Sequence, residues 1–215
     1  MQMKKIACIL FITLIGLQSC LTQHSKEKAH IPNLSNEESN KVAYFASGCF
    51  WCVEAIFESV NGVTEVISGY AGGTSEDASY AKVSSGITNH AESVAVFYDS
   101  TIVDYQTLLL VFFDSHDPST LNRQGPDVGR QYRSAIFYSS QHEKILAQKY
   151  IDDLLKNKLF DSITTEIIPF EAFYEAETYH QDYKKNHPDD PYVKRISNPR
   201  YDSFAKKHKK LLKKH

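Results

Sequence analysis

Two cysteines with two aromatic residues between them stand out in the stretch SGCFWCVEAIF, residues 47–57. Cys49 and Cys52 flank Phe50 and Trp51 where a predicted strand gives way to a predicted helix. A thiol in the first turn of a helix is close to unpaired N–H groups and to the positive end of the helix dipole, which stabilise a thiolate. A second cysteine three residues later lies on the same face and can reach the first. The pair is therefore typical of a redox site, with one nucleophilic cysteine and one disulfide-forming partner.

Other roles for this pair are weaker. A structural disulfide across so short a loop would restrict the unfolded chain very little. Zinc needs four ligands, but the sequence offers no second cysteine pair and no histidines at zinc-finger spacing, so we predict no metal site.

Two rival functions stay open at this point. Thioredoxin-like oxidoreductases also place C-x-x-C where a strand meets a helix. Their tryptophan usually precedes the first cysteine, however, and their fold needs a proline loop, whereas no proline occurs here between Pro32 and Pro118. The non-enzymatic rival is a binding module whose aromatic residues hold an apolar ligand.

The spacing of apolar residues predicts the elements that must position the two thiols. Strands are predicted in residues 41–47, 63–73, 91–99, 133–140 and 163–170, and helices in 49–60, 104–116 and 140–157. The order β-α-β-β-α-β-α-β indicates one α+β domain. We expect a ferredoxin-like α/β sandwich with a mixed central sheet flanked by helices and a long irregular C-terminal part.

The N-terminus has the pattern of an export signal. Lys4 and Lys5 precede an apolar run, residues 6–17, that is too short to span a bilayer comfortably. It ends in LQSC, which resembles a bacterial lipobox with Cys20 as the lipidated residue. We therefore predict a lipid-anchored protein of the bacterial cell envelope; the alternative is a secreted or periplasmic soluble protein.

The remaining segments follow from composition. Residues 21–40 are polar and aperiodic, which predicts a flexible linker before a domain spanning residues 41–200. Residues 201–215 are rich in lysine and are predicted to be a solvated basic tail, with contact to anionic lipid headgroups as the alternative. The net charge of −2 gives no reason to expect a nucleic-acid partner.

Several separated motifs resemble peptide methionine sulfoxide reductases of the A class, whose signature is G-C-F-W. They are GCFWCVEAIF (48–57), GYAGG (69–73), SYAKVSSGITNHAESVAVFYD (79–99), HDPSTLNRQGPDVGRQYRSAIFY (116–138) and PFEAFYEAETYHQDY (169–183). They occur in the family's order over residues 41–187. Three features depart from the common pattern: Asn89 and Cys52 stand where many members have glycine, and no recycling cysteine lies near the C-terminus.

The resemblance implies a role for each matching residue. Cys49 would attack the sulfoxide sulfur while Glu92 protonates the sulfoxide oxygen, which requires a desolvating pocket that raises the pKa of Glu92. The other implied residues are Tyr80 and Tyr132, which bond the oxygen, Asp127, a neighbouring acid, and Phe50 with Trp51, which hold the S-methyl group. Glu54 is expected to be a structural acid, with tuning of the thiol as the alternative, and no proton-transfer role is assigned to His90 or His116.

The resemblance also implies the reaction. The enzyme would reduce the S epimer of methionine sulfoxide, free or in proteins, and so repair oxidised proteins. Cys49 would be left as a sulfenic acid, and Cys52 would resolve it to a disulfide, since the family's C-terminal cysteines are missing. A thioredoxin-type dithiol would then supply the electrons. No bound cofactor is implied, and we expect a monomer.

Overall fold

The computed structural model describes residues 39–214. The predicted signal, the lipidation residue Cys20 and nearly all of the predicted linker lie outside these residues. The first strand begins at Asn40, the last residue of that linker. Within the described residues, no helix has both the length and the apolar character needed to cross a bilayer.

A six-stranded sheet, in the order β7-β6-β1-β3-β2-β8, forms the centre of the domain. Its strands are β1 Asn40–Ser47, β2 Val63–Ala71, β3 Ala91–Asp99, β6 Ser134–Tyr138, β7 Glu166–Pro169 and β8 Phe173–Glu175; a separate hairpin pairs β4 Arg123–Gln124 with β5 Asp127–Val128. The four strands β6-β1-β3-β2 are all antiparallel, whereas β7 pairs with β6 in parallel. This arrangement confirms the predicted mixed sheet, and the order β6-β1-β3-β2 is that of a ferredoxin-like sandwich.

Helices cover the sheet. They are α1 Phe50–Glu58, α2 Tyr80–Ser84, α3 Tyr105–Asp114, α4 Gln141–Lys156, α5 Tyr183–Asn186 and α6 Asn198–Lys207. Alternate residues of β1 face opposite sides, as the period of two requires: Phe45 enters the cluster beneath α1 and α3, and Tyr44 enters the second cluster, where it stacks on Phe170. The helix α3 begins where Asp104 accepts a 2.8 Å hydrogen bond from the backbone N–H of Thr107. The long predicted elements are thus present.

The C-terminal segment differs from the solvated tail predicted for residues 201–215. Phe204 of α6 is buried, and Leu211 and Leu212 pack against the main core. The backbone is also tied down, because Asn61 N–H donates to Leu211 O at 2.7 Å and Lys213 N–H donates to Ser59 O at 2.8 Å. The many lysines of this segment obscured three apolar residues that anchor it, so the folded domain extends well beyond residue 200.

Candidate active site

A cavity of about 190 Å³ lies where β1 meets α1. This is smaller than the roughly 300–1,000 Å³ of typical small-molecule pockets, so it suits the end of one side chain. Its lining consists of Cys49, Phe50, Trp51, Tyr80, Glu92, Asp127, Tyr132 and Tyr192. All but Tyr192 were named from the sequence, and Cys52 lies buried beside this group.

The turn between β1 and α1 places Cys49 at the cavity. Gly48 has φ +89°, and a Cβ atom there would come within 2.6 Å of the Gln124 side chain, so glycine is needed on both counts. Cys49 is then the N-cap residue of α1, and its side chain makes no capping hydrogen bond. Its sulfur therefore remains available to the cavity.

Glu92, on β3, caps one of the free N–H groups at the start of α1. One of its carboxyl oxygens accepts a 3.1 Å hydrogen bond from the backbone N–H of Phe50 in the first turn of α1. Burial raises the pKa of Glu92 to about 8; the charges of Asp127 and Cys52 add to this, and the Phe50 N–H opposes it. The pKa is raised in the direction that the resemblance implies, which favours a protonated carboxyl at neutral pH.

The two cysteines are free thiols with opposite tendencies to ionise. Burial raises the pKa of Cys49 well above its usual range, and the hydrogen bond with Cys52 and the charge of Glu92 raise it further. The hydrogen bond from Cys49 is the main cause that lowers the pKa of Cys52 to about 6, and Arg200, Ser197 and Tyr192 lower it further against the effect of burial. Burial thus disfavours a thiolate on Cys49, whereas the hydrogen bonds and the positive charge around Cys52 favour one there.

These surroundings weigh against the predicted thiolate on Cys49. The helix position is nearly as expected, but Cys49 is enclosed beside the carboxyl of Glu92. For a buried sulfur next to a second acid, desolvation and repulsion destabilise the thiolate more than a helix terminus stabilises it. Cys52, although even less exposed, has a hydroxyl and a guanidinium nearby.

Tyrosine hydroxyls supply further donors. Burial, followed by the charge of Glu92, raises the pKa of Tyr80 to about 12 and moves the pKa of Tyr132 above its usual range as well. Both hydroxyls therefore keep their protons. Tyr192, which sequence reasoning missed, donates to Asp127 Oδ2 at 2.5 Å and joins that acid to the C-terminal segment.

The indole of Trp51 is fixed on two sides. Its Nε1–H donates to His180 Nδ1 at 3.0 Å, and its ring stacks on Tyr183 with ring centroids 3.7 Å apart. His180 also lies against Phe50 and Tyr80. His180 and Tyr183 lie in the matched motif at residues 169–183, but the sequence analysis assigned no role to either residue.

Glu177, which sequence reasoning also missed, links the stretch after β8 to β2 and α2. It accepts hydrogen bonds from the hydroxyl of Tyr70 at 2.8 Å and from the backbone N–H of Tyr80 at 3.0 Å. Tyr80 begins α2, so the carboxylate helps to set that tyrosine at the cavity.

Besides Cys52, three residues discussed from the sequence do not line the cavity. Glu54 is buried near Glu58 and Asp182, and burial raises its pKa to about 8. His90 contacts Thr74 O at 2.9 Å, and His116 contacts Phe112 O and Ser134 Oγ at 2.7 and 2.8 Å. Over residues 39–214, no cluster of three or more His, Cys, Asp or Glu could hold a metal ion.

Comparison with known proteins agrees with this site. The family model for peptide methionine sulfoxide reductase matches residues 41–212. The chain is 47% identical over 184 residues to peptide methionine sulfoxide reductase MsrA 2 of Synechocystis sp., covering 85% of this chain and 86% of that one. It is 49% identical over 170 residues to MsrA of Natronomonas pharaonis, covering 77% and 96%.

A solved structure is similar as well. Reduced Mxr1 from Saccharomyces cerevisiae superposes with a TM-score of 0.67 at 33% identity, covering 71% of this chain and 88% of that one. The sequence match, the shared fold and the cavity with its buried thiol and acid lead to one assignment. This chain belongs to the peptide methionine sulfoxide reductase family.

Proposed function

We propose that this protein reduces the S epimer of methionine sulfoxide, free or within proteins, to methionine and so repairs oxidised proteins. The observation that carries the proposal is the joint placement, in one cavity of about 190 Å³, of a thiol, a carboxylic acid held protonated and an aromatic wall. That combination provides a nucleophile, a proton donor and a slot for an S-methyl group.

The walls of the cavity orient the sulfoxide. Phe50 and the braced indole of Trp51 form an apolar slot for the methyl group. Glu92, Tyr80 and Tyr132 offer O–H donors for the sulfoxide oxygen. With separate binding groups for the methyl group and the oxygen, only one epimer would present its sulfur to Cys49.

The first step transfers the oxygen. Cys49 Sγ attacks the sulfoxide sulfur as Glu92 protonates the oxygen, and the S–O bond of the substrate breaks. The proton that Cys49 gives up passes to Cys52, its hydrogen-bond partner, because the developing positive charge on the substrate sulfur favours the Cys49 thiolate. The new S–S bond makes the substrate sulfur a sulfonium. The hydroxide released from the substrate then attacks Cys49 Sγ, the S–S bond breaks, methionine leaves, and Cys49 is left as a sulfenic acid.

The second step forms a disulfide. Cys52 attacks the sulfenic sulfur of Cys49 and releases water, and a thioredoxin-type dithiol returns the pair to the reduced state. Cys52 is the default partner, because residues 53–215 contain no other cysteine.

The site also supports a simple separation of roles. With reduced protein and no added reductant, Cys49→Ser should form no methionine, whereas Cys52→Ser should form one equivalent and keep a sulfenic acid on Cys49. Methionine formed by Cys49→Ser would refute the nucleophile assignment. A thiol–disulfide oxidoreductase would instead isomerise scrambled disulfides, and a binding module would hold its ligand equally well after Cys49→Ser.

The proposed setting is the bacterial cell envelope, with a monomer anchored through lipid on Cys20. The apolar run and LQSC sequence support it. Metabolic labelling with a fatty acid followed by membrane fractionation tests it, with Cys20→Ala as the comparison. Label and membrane association should both disappear in the variant; an unlabelled native protein released into the soluble fraction would favour the cleaved-signal alternative.

A further inference from the structure

The resolving cysteine contacts the C-terminal segment as well as Cys49. Cys52 Sγ lies 2.8 Å from Ser197 Oγ, and both side chains are almost completely buried, at 2% and 1% exposure. Ser197 ends the short π-helical turn Val193–Ser197 that leads into α6. A thiolate can only accept a hydrogen bond, so when Cys52 is ionised the Ser197 hydroxyl is the donor.

A guanidinium is fixed close to the same place. Arg200 Nε donates to Ser115 O at 2.6 Å, and its Nη2 donates to Ser47 O at 2.9 Å, the last residue of β1. These bonds hold the cation beneath the turn that leads to Cys49: a Cβ atom on Gly48 would lie 3.5 Å from Nη1. Its charge acts on Cys52 and also on Asp127 and His116.

We propose that Ser197 and Arg200 hold Cys52 as a thiolate and thereby prepare it to attack the sulfenic acid on Cys49. Ser197 touches the reacting sulfur and is a catalytic residue of this resolution step, whereas Arg200 is a positioning residue that acts through its charge and its backbone contacts. The proposal rests on the proposed reductase function and adds two residues of the π turn and α6 to the site.

The step balances without another reactant. An electron pair of the Cys52 thiolate forms the bond to Cys49 Sγ, and the S–O bond of the sulfenic acid breaks. The oxygen leaves as hydroxide and takes the proton that Cys52 received from Cys49 in the first step and gives up on returning to the thiolate, so that water is released. Cys52 is oxidised, Cys49 is reduced to the disulfide level, and Ser197 keeps its proton. The resolution rate should follow the thiolate fraction of Cys52, because the thiolate is the nucleophile.

A rapid-quench single turnover tests this on the full-length reduced protein, with a methionine sulfoxide peptide of the S epimer as the probe. A dimedone trap and intact mass separate sulfenic acid from disulfide at each time point. In Ser197→Ala we expect one equivalent of methionine and, for a rise of about one pKa unit from about 6, disulfide formation slowed roughly twofold at pH 7 and nearly tenfold at about pH 5, with recovery of the rate at higher pH. Disulfide formation should be slowed less in Arg200→Lys than in Arg200→Met.

Matched controls come from the same segment. Ser203→Ala and Arg195→Met change exposed residues on α6 and on the π turn and should resolve at the native rate. Arg200→Met also removes backbone contacts, so Ser197→Ala is used for a second readout. When the ultraviolet absorbance of the thiolates is followed against pH, the first thiolate of the reduced variant should appear at a higher pH than in the native protein. Unchanged resolution in Ser197→Ala, or an equal slowing at every pH, would overturn the proposal. Absence of methionine from the native protein would instead refute the reductase function itself.

Discussion

The carboxyl of Glu92 and the backbone N–H of Phe50 are joined by a 3.1 Å hydrogen bond that links β3 to the first turn of α1. This bond fixes the proposed acid beside Cys49, the residue that precedes Phe50. The N–H favours the charged carboxylate, yet burial is the larger effect, so the pKa of Glu92 stays near 8. One contact thus sets the position of the acid, and its desolvated surroundings set its protonation.

The pH dependence of the first step follows from Glu92. The acid is active while protonated, so single-turnover methionine formation should decline as pH rises through about 8. Glu92→Gln should slow that step by about 10²–10⁴-fold and remove the decline assigned to this carboxyl. Rapid-quench measurement across this range checks both effects. A native rate that rises steadily through the same range would show that a protonated Glu92 is not required.

The hydrogen bond between Trp51 and His180 should affect substrate affinity. Trp51→Phe keeps an aromatic face but loses the 3.0 Å bond from Nε1 to His180 Nδ1. A hydrogen bond contributes about 1 kcal/mol, so KM should rise roughly fivefold, and the preference for methyl over ethyl sulfoxides should weaken. Steady-state kinetics with both substrates measure this. An unchanged KM and preference would mean that the indole is positioned by stacking on Tyr183 alone.

Glu54 should make stability depend on pH. Its pKa is about 8 in the folded protein and near 4.5 in the unfolded chain, so the folded state holds the extra proton between these values. The free energy of unfolding should therefore fall as pH rises through that window. Glu54→Gln should stabilise the protein at neutral pH by about 1–3 kcal/mol and leave it unchanged well below pH 4.5.

Chemical denaturation at several pH values tests this, with the exposed Glu171→Gln as the control. A variant less stable than the native protein at neutral pH would contradict the account, because it would mean that Glu54 is ionised and paired in the fold.

The C-terminal residues should contribute to stability. Leu211 and Leu212 pack against the core, so replacing both with alanine should lower the free energy of unfolding by about 2–4 kcal/mol. Lys209→Gln with Lys210→Gln provides a matched change at exposed neighbours and should have little effect. Equal denaturation midpoints for the two double variants would show that residues 201–215 are a solvated tail, as composition predicts.

The sequence was most informative where apolar periodicity was strong. The strand through residues 41–47 and the helix after Cys49 follow directly from spacing, and the motif match named seven cavity residues, among them Glu92 on β3. The tip of β5 is different: Asp127 could be named only through the motif, because a two-residue strand carries no period.

What the sequence did not reveal depends on tertiary contacts. Tyr192 and Ser197 follow a loop without periodicity, and their contacts with Asp127 and Cys52 span 65 and 145 residues of chain. The surroundings of the thiol pair could not be foreseen for the same reason. Helix position is visible in the sequence, whereas the burial of Cys49 and the charge of Arg200 are not.

The proposed reductase activity is tested most directly by mass spectrometry of the reduced protein after incubation with each epimer of a methionine sulfoxide peptide, without added reductant. We expect one equivalent of methionine from the S epimer only, with a loss of two hydrogens located at Cys49 and Cys52. No methionine from either epimer, with both thiols still reduced, would contradict it.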